Sequence, residues 1–174
     1  DDVVVQTWVR RCDKLFCYRD FELLTTSGET LAVATSKWVL IDSTNHKIVK
    51  LRDDIIENYR MEETKQVFND EESNDLPKLA EIDNYSHCID YTIRKADIDL
   101  NNHVHNLCYL DMAEEILPYQ ISNSTEAQEF EIWFKYQIKF EDSVSIYYGF
   151  KNNKHYVVVK SDDGECLHNI MKFY

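Results

Sequence analysis

Only three glycines and two prolines punctuate the 174 residues, too few for turn chemistry to mark where segments end. Strand ends must therefore be read from clusters of Asn, Asp and Ser. No apolar run approaches the roughly 20 residues a membrane-spanning helix needs. The start, DDVVVQTWVRR, also lacks the basic-then-apolar layout of a signal peptide, and the compartment this predicts is the cytoplasm. Basic residues are scarce, 19 Lys and Arg against 32 Asp and Glu, giving a formal net charge of −13 that repels phosphate backbones and anionic headgroups. With no basic patch to offset it, neither nucleic acid nor a membrane surface is expected as a partner. The five cysteines, Cys12, Cys17, Cys88, Cys108 and Cys166, form no CxxC pair and no zinc spacing, so they read as reduced thiols, mostly in the core.

What is present is a 44% hydrophobic content, enough to bury the core of one ordinary domain or two small ones. The first 42 residues read as strands: DVVVQTWVR, FCYRDFELLTT and TLAVATSKWVLID, the last two joined by a turn at Ser27 to Glu29. The third strand is apolar on both faces, which predicts a central, doubly buried position. A short helix is expected at RDDIIENYR, and 61–83 reads as an acidic, solvated linker. The second half opens with the strand YSHCIDYTIR and reaches a helix at 106–117, with Leu107, Leu110, Ala113 and Leu117 at three- and four-residue steps. Asn102 or Asn106 is placed to cap that helix and Pro118 to end it. Strand candidates FEIWFKYQIKF, DSVSIYYGFK, KHYVVVKS and ECLHNIMKFY follow, so the second half is an antiparallel sheet wrapped around one helix, an α+β arrangement. The first half has strands alone. Its apolar face cannot stay in water at about 25 cal/mol per Å², so it packs on the second half or a helix upstream of Asp1 is absent from this chain.

Between strand and helix lies ADIDLNNHVHNLCYLDMAEE, with an acid, amides and two imidazoles between Asp99 and His105. This segment resembles the D-x-N-x-H loop of the acyl-acyl carrier protein thioesterases of plants and bacteria. So, independently, do Thr7 and Trp8, the YRDF at Tyr18 to Phe21, the GETLAVATSKWVLID at Gly28 to Asp42 and the KLRDDI at Lys50 to Ile55. The resemblance covers essentially the whole chain. It implies a tandem pair of hotdog folds whose first copy lacks its opening strand and central helix: a partial hotdog at 1–60, the linker at 61–83 and a complete hotdog at 84–174. It also implies release of free fatty acid from acyl-acyl carrier protein in fatty acid biosynthesis, with no cofactor. A homodimer is compatible with it.

The chemistry of the loop is consistent with that activity. Thioester hydrolysis needs a base or nucleophile and donors for the developing oxyanion. Asp99 can be base or nucleophile; Asn101 and His103 can orient water or carbonyl; helix-terminal N–H groups near Asn106 can meet negative charge. In a locally extended loop, alternation sets Asp99, Asn101 and His103 on one side. The resemblance assigns catalytic roles to these three. It also places a Glu, and in plant members a Cys, after the helix, where FKYQIKFEDSV has Gln137 and Ile138. A side-chain amide takes no proton, so Gln137 can only position water or carbonyl, and Glu141 would need a register shift to replace it. His103 and His105 alone are an incomplete zinc site, so no metal is expected even with His46, His87, His155 and His168 in the chain; Cys108 reads as a core thiol.

Trp8, Arg19, Asp20 and Trp38 are the first-half residues expected near the acyl chain or the loop, with Asn106 beside them in substrate binding; by the resemblance, that half sets chain length. An acidic carrier protein would need a basic docking face, and Arg10, Arg11 and Lys14, or Lys47, Lys50 and Arg52, are the candidates. A coenzyme A thioester as substrate, or acyl binding without catalysis, are the alternatives.

Overall fold

The β-branched and aromatic runs do become strands. A computed structural model describes residues 2–45, 47–70, 74–123 and 129–174, and the chain divides into two units, Asp1–Pro77 and Lys78–Tyr174. His46 lies outside the described residues. In the first unit β1 (Val3–Cys12), β2 (Phe16–Thr25), β3 (Thr30–Ile41) and the two-residue β4 (Ile48–Val49) form one antiparallel sheet in that order. Gly28 turns the chain between β2 and β3 with φ of 89°, a conformation glycine adopts without strain. A short helix, α1 (Asp53–Asn58), follows β4.

Two expectations for this unit are corrected. Cys12 and Cys17 are not free thiols but a disulfide, because the hairpin makes them direct cross-strand partners with Cα atoms 4.2 Å apart. Strand β3 is not doubly buried. Among the described residues its one partner beyond β2 is β4, which pairs with just Leu40 and Ile41, and every β3 residue is exposed or half-buried.

The register sorts the sheet into two unlike faces. Trp8 pairs with Asp20 and Asp20 with Thr35, so these three share one face. There the Asp20 carboxylate, 1% exposed, accepts from Arg10 Nε at 3.3 Å, from Thr35 Oγ1 at 2.7 Å and from the backbone N–H of Val67 at 3.2 Å. Residues 61–67 are thus tied to the sheet at Met61, Glu62, Lys65 and Val67, while residues 62–66 stay exposed, as expected of a solvated stretch. Glu62 N–H donates to Val9 O at 2.9 Å, Trp8 Nε1 donates to Lys65 O at 2.8 Å, and Cys12 N–H donates to Met61 Sδ at 3.2 Å. On the other face Arg19 and Trp38 share a side with Val5, and Val5 and Trp38 are 66% and 54% exposed.

The second unit runs β5 (His87–Thr92), a single 3₁₀ turn at Lys95–Asp97, α2 (Cys108–Glu114), α3 (Tyr119–Ser122), β6 (Phe130–Phe134), β7 (Ser143–Lys151), β8 (Lys154–Ser161) and β9 (Leu167–Phe173). Its antiparallel sheet has the order β5-β7-β8-β9-β6. Tyr109, Met112 and Ala113 of α2, with Ile116 just beyond it, pack against Val144, Ile146, Val157, Val159, Met171 and Phe173. The helix is shorter than the expected 106–117; of the expected stripe Ala113 and Leu117 are buried and Leu110 packs against the core, while Leu107 is exposed. Neither Asn102 nor Asn106 caps it. The N-cap is Leu107, with no side-chain bond, and Asn102 instead takes a left-handed φ of 61° in the preceding loop. Strand β6 stops at Phe134, short of the expected 140, because Lys135 and Tyr136 both direct their N–H groups at one carbonyl, His168 O.

Gly149 is required by close approach. A Cβ there would stand 2.3 Å from Ile82 Cδ1 and 2.7 Å from Asn84 O, so the Gly149→Ala variant must push the 82–84 backbone off β7. We expect a loss of about 1–3 kcal/mol, read as a lower thermal midpoint; an unchanged midpoint would show that the segment yields freely. In the first unit, Asp20→Ala leaves Arg10 buried without its partner and should cost about 3–5 kcal/mol. Amide exchange at Val67 should quicken in the same variant, and unchanged protection there would contradict the clamp.

Candidate active site

The loop between the 3₁₀ turn and α2 is closed at its base and organised around one carboxylate. Ile98 and Val104 form an isolated antiparallel bridge, and Asp99 N–H donates to His103 O at 2.8 Å. Asp99 Oδ1 accepts the backbone N–H of Asn101 at 2.8 Å and of His103 at 3.2 Å, while Asn101 Nδ2 donates to Asp99 Oδ2 at 3.2 Å. The Asp99 and Asn101 side chains therefore meet, and His103 joins them through its main chain, in a tight turn rather than the extended alternation expected from their spacing. The left-handed Asn102 lets the chain reverse inside the turn, and Leu100 projects fully into solvent. The His103 backbone N–H, followed by the Asn101 amides, holds the Asp99 carboxyl below its ordinary range despite opposing desolvation, so this group is an anion at neutral pH.

Gln137 lies beyond the end of β6, exposed, in a segment tied to the loop through the main chain. Val104 N–H donates to Ile138 O at 2.8 Å, and Ile138 itself is fully buried. The nearby Tyr109 hydroxyl lies in the core, where burial pushes its titration up to about 12. The residues that follow His103 and Gln137 are thus one hydrogen bond apart. Glu141 is elsewhere, lining a hollow with Asp90, Asp142 and Asp162. His105 uses Nδ1 to accept the Leu107 N–H at 3.2 Å, and Asn106 is exposed.

Of the expected substrate contacts in the first unit, Trp8 lies on the face opposite Arg19 and Trp38. Trp8 is 8% exposed, its indole N–H spent on Lys65 O and its ring covered by the Lys65 ammonium at 3.8 Å. Arg19 Nη1 donates to Thr7 Oγ1 at 3.2 Å, and Trp38 Nε1 to Ser36 Oγ at 2.6 Å.

Sequence reasoning missed Asp97. Its carboxylate, 1% exposed, takes the Arg94 backbone N–H at 2.8 Å, Arg94 Nε at 2.9 Å, Arg94 Nη2 at 2.7 Å and the Tyr91 hydroxyl at 3.4 Å. Its carbonyl takes the His105 N–H at 2.7 Å and the Cys108 thiol at 3.8 Å. The signal available was an acid three residues after an Arg, at the spacing of a reciprocal helix cap.

An antiparallel five-stranded sheet with one helix buried against its core face, and a carboxylate-centred loop at that helix's entrance, defines a hotdog protein. The first unit carries the sheet of a second, incomplete copy. The chain belongs to the acyl-ACP thioesterase family: the family's N-terminal domain model matches residues 1–59 and its C-terminal domain model residues 79–172. It is 30% identical over 151 residues to oleoyl-acyl carrier protein thioesterase 1, chloroplastic, of Arabidopsis thaliana, covering 83% of this chain and 41% of that protein. It is 31% identical over 130 residues to the palmitoyl-acyl carrier protein thioesterase, chloroplastic, of Gossypium hirsutum, covering 72% of this chain and 31% of that protein. The chain thus spans less than half the length of these curated relatives. Among solved structures it shares the fold of an acyl-ACP thioesterase from Bacteroides thetaiotaomicron, with a TM-score of 0.76, 22% identity, and coverage of 98% of this chain and 67% of the other. The 12:0-ACP thioesterase from Umbellularia californica gives a TM-score of 0.78 at 19% identity, covering 98% and 66%.

Asp97 also makes a prediction about acid. Burial alone would raise its carboxyl, but Arg94, through its guanidinium and backbone N–H, outweighs this and holds it low. An acid whose folded value lies below the unfolded one, near about 3.9, contributes its stability in full above that value and loses it as pH falls through the folded value. Wild type should therefore lose more stability than Asp97→Asn between pH 6 and about pH 3. Urea midpoints at the two pH values measure this, and equal losses would refute it.

Proposed function

We propose that this chain forms the hydrolytic part of a thioesterase that releases free fatty acid from an acyl-acyl carrier protein. The observation that carries the reading is the Asp99 carboxylate, ionised and bonded to Asn101 and to the His103 backbone, in a chain that belongs to the acyl-ACP thioesterase family. A carboxylate with a depressed pKa is a weak proton acceptor, so Asp99 acts as the anion that orients a water whose proton passes to the His103 imidazole, or as a nucleophile that expels the thiolate and forms an acyl anhydride, which a water deprotonated by His103 then hydrolyses. In the first case, attack on the thioester carbonyl breaks the carbon–sulfur bond, and the departing thiolate takes a proton back from His103. Gln137, which cannot exchange a proton, holds the water or the carbonyl.

Arg19 and Trp38, on the open face of the first sheet, are the residues of that unit offered to the acyl chain; Trp8, committed to Lys65, is not among them. The basic docking groups expected from sequence are largely neutralised. Arg10 is buried on Asp20, Arg11 meets Asp75 at 4.0 Å, Lys14 pairs with Asp53, and Arg52 with Asp54 at 3.0 Å. That favours comparing a coenzyme A donor directly with the carrier protein. Among the described residues no helix is long and apolar enough to cross a membrane.

The exposed amide of Gln137 favours one second reading, acyl binding without turnover. Free-thiol release from acyl-carrier-protein and acyl-coenzyme A substrates separates the two. Asp99→Asn should lower kcat by about 10²–10⁴-fold, and Gln137→Glu should raise it. Acyl binding by the wild type with no thiol released from either donor would move the second reading ahead.

A further inference from the structure

We propose that Asp97 is a positioning residue for hydrolysis: it sets where the Asp99–Asn101–His103 loop points without touching the reacting atoms. This rests on the hydrolytic reading of that loop. Among the described residues, every hydrogen bond that the Asp99 carboxylate makes stays within the loop, to Asn101 and His103. Such a loop is rigid in itself but has no orientation of its own; that must come from its stems. One anchor is the Val104 N–H bond to Ile138 O. The other is Asp97, which joins three elements at once.

Its carboxylate fixes the exit of β5 through the Tyr91 hydroxyl and Arg94. Its carbonyl, meanwhile, fixes the far stem and the start of α2 through the His105 N–H and the Cys108 thiol. Residue 97 therefore holds both sides of the loop against the strand, one through its side chain and the other through its main chain. The tip stands three residues from the Ile98–Val104 bridge, a reach below the roughly 10 Å of an extended chain because the loop closes in a tight turn. A tilt of about 10° at the base moves the tip by about 1 Å, an error that can cost about 100-fold in rate. The Arg94 side chain closes the clamp from outside and is 61% exposed, so it can be altered without opening the core.

The test pairs Asp97→Asn with Arg94→Gln and Arg94→Lys, and reads backbone exchange alongside turnover. In Asp97→Asn the amides of Asn101, His103 and His105 should exchange at least about tenfold faster, while those of β7 and β8 keep wild-type rates. In the same variant kcat should fall by about 10–100-fold with KM nearly unchanged, since the tilt disturbs the reacting geometry and not substrate binding. Arg94→Gln should show the same split more weakly, and Arg94→Lys, which keeps a cation on Asp97, should recover part of it. If Asp97→Asn fails to fold, the two Arg94 variants decide the matter by the same readings. Wild-type exchange in the loop of a folded variant, or a fall in thermal midpoint with kcat intact, overturns the positioning role. A wild-type chain that releases no thiol sinks the hydrolytic reading instead, and loop exchange still decides whether Asp97 orients the loop.

Discussion

A helix of seven residues is too short to persist in water, so α2 exists only because the five-stranded sheet takes up its apolar side. Met112 is completely buried and Ala113 almost so, against strand residues that are themselves at zero exposure. That burial sets the position of everything upstream. The entrance of α2 fixes where His105 and Cys108 stand, these engage the carbonyl of Asp97, and the loop carrying Asp99, Asn101 and His103 hangs between Asp97 and Ile138. The polar chemistry of the site is thus held in place by an apolar contact that none of its own residues makes.

The two units solve the problem of a one-sided sheet differently. The second covers its core face with a helix. The first clamps a polar face with residues 61–67, using a buried Arg10–Asp20 pair and the Trp8 indole, while its opposite face keeps Val5 and Trp38 in contact with solvent. A buried ion pair contributes little net stability compared with an apolar core, but it is demanding about geometry, which suits a segment that must lie in one register.

Charge works locally in this molecule rather than through its total. The −13 balance argues about partners at long range, yet at the site it is individual donors that matter: backbone N–H groups keep Asp99 ionised, and one guanidinium keeps a buried Asp97 ionised. The same economy removes most of the basic side chains that sequence alone offered for docking, since each stands within reach of a neighbouring carboxylate.

The strands of both units and the D-x-N-x-H loop were legible in the sequence because β-branched alternation and short motifs are local properties. The span of β6 and the start of the buried side of α2 were not: His168 offers one carbonyl to two N–H groups, and the sheet selects Tyr109 and Met112 over Leu107. Nor were the disulfide, the split of Trp8 from Trp38, or the role of Asp97, all of which depend on pairing partners remote in sequence or on turns that spacing does not specify. The sequence by itself determined the family, the strand content and the identity of the loop's acid, amide and imidazole. Only the tertiary structure decided which face each side chain occupies and what holds the loop, because register and burial are settled by contacts between segments and not within them.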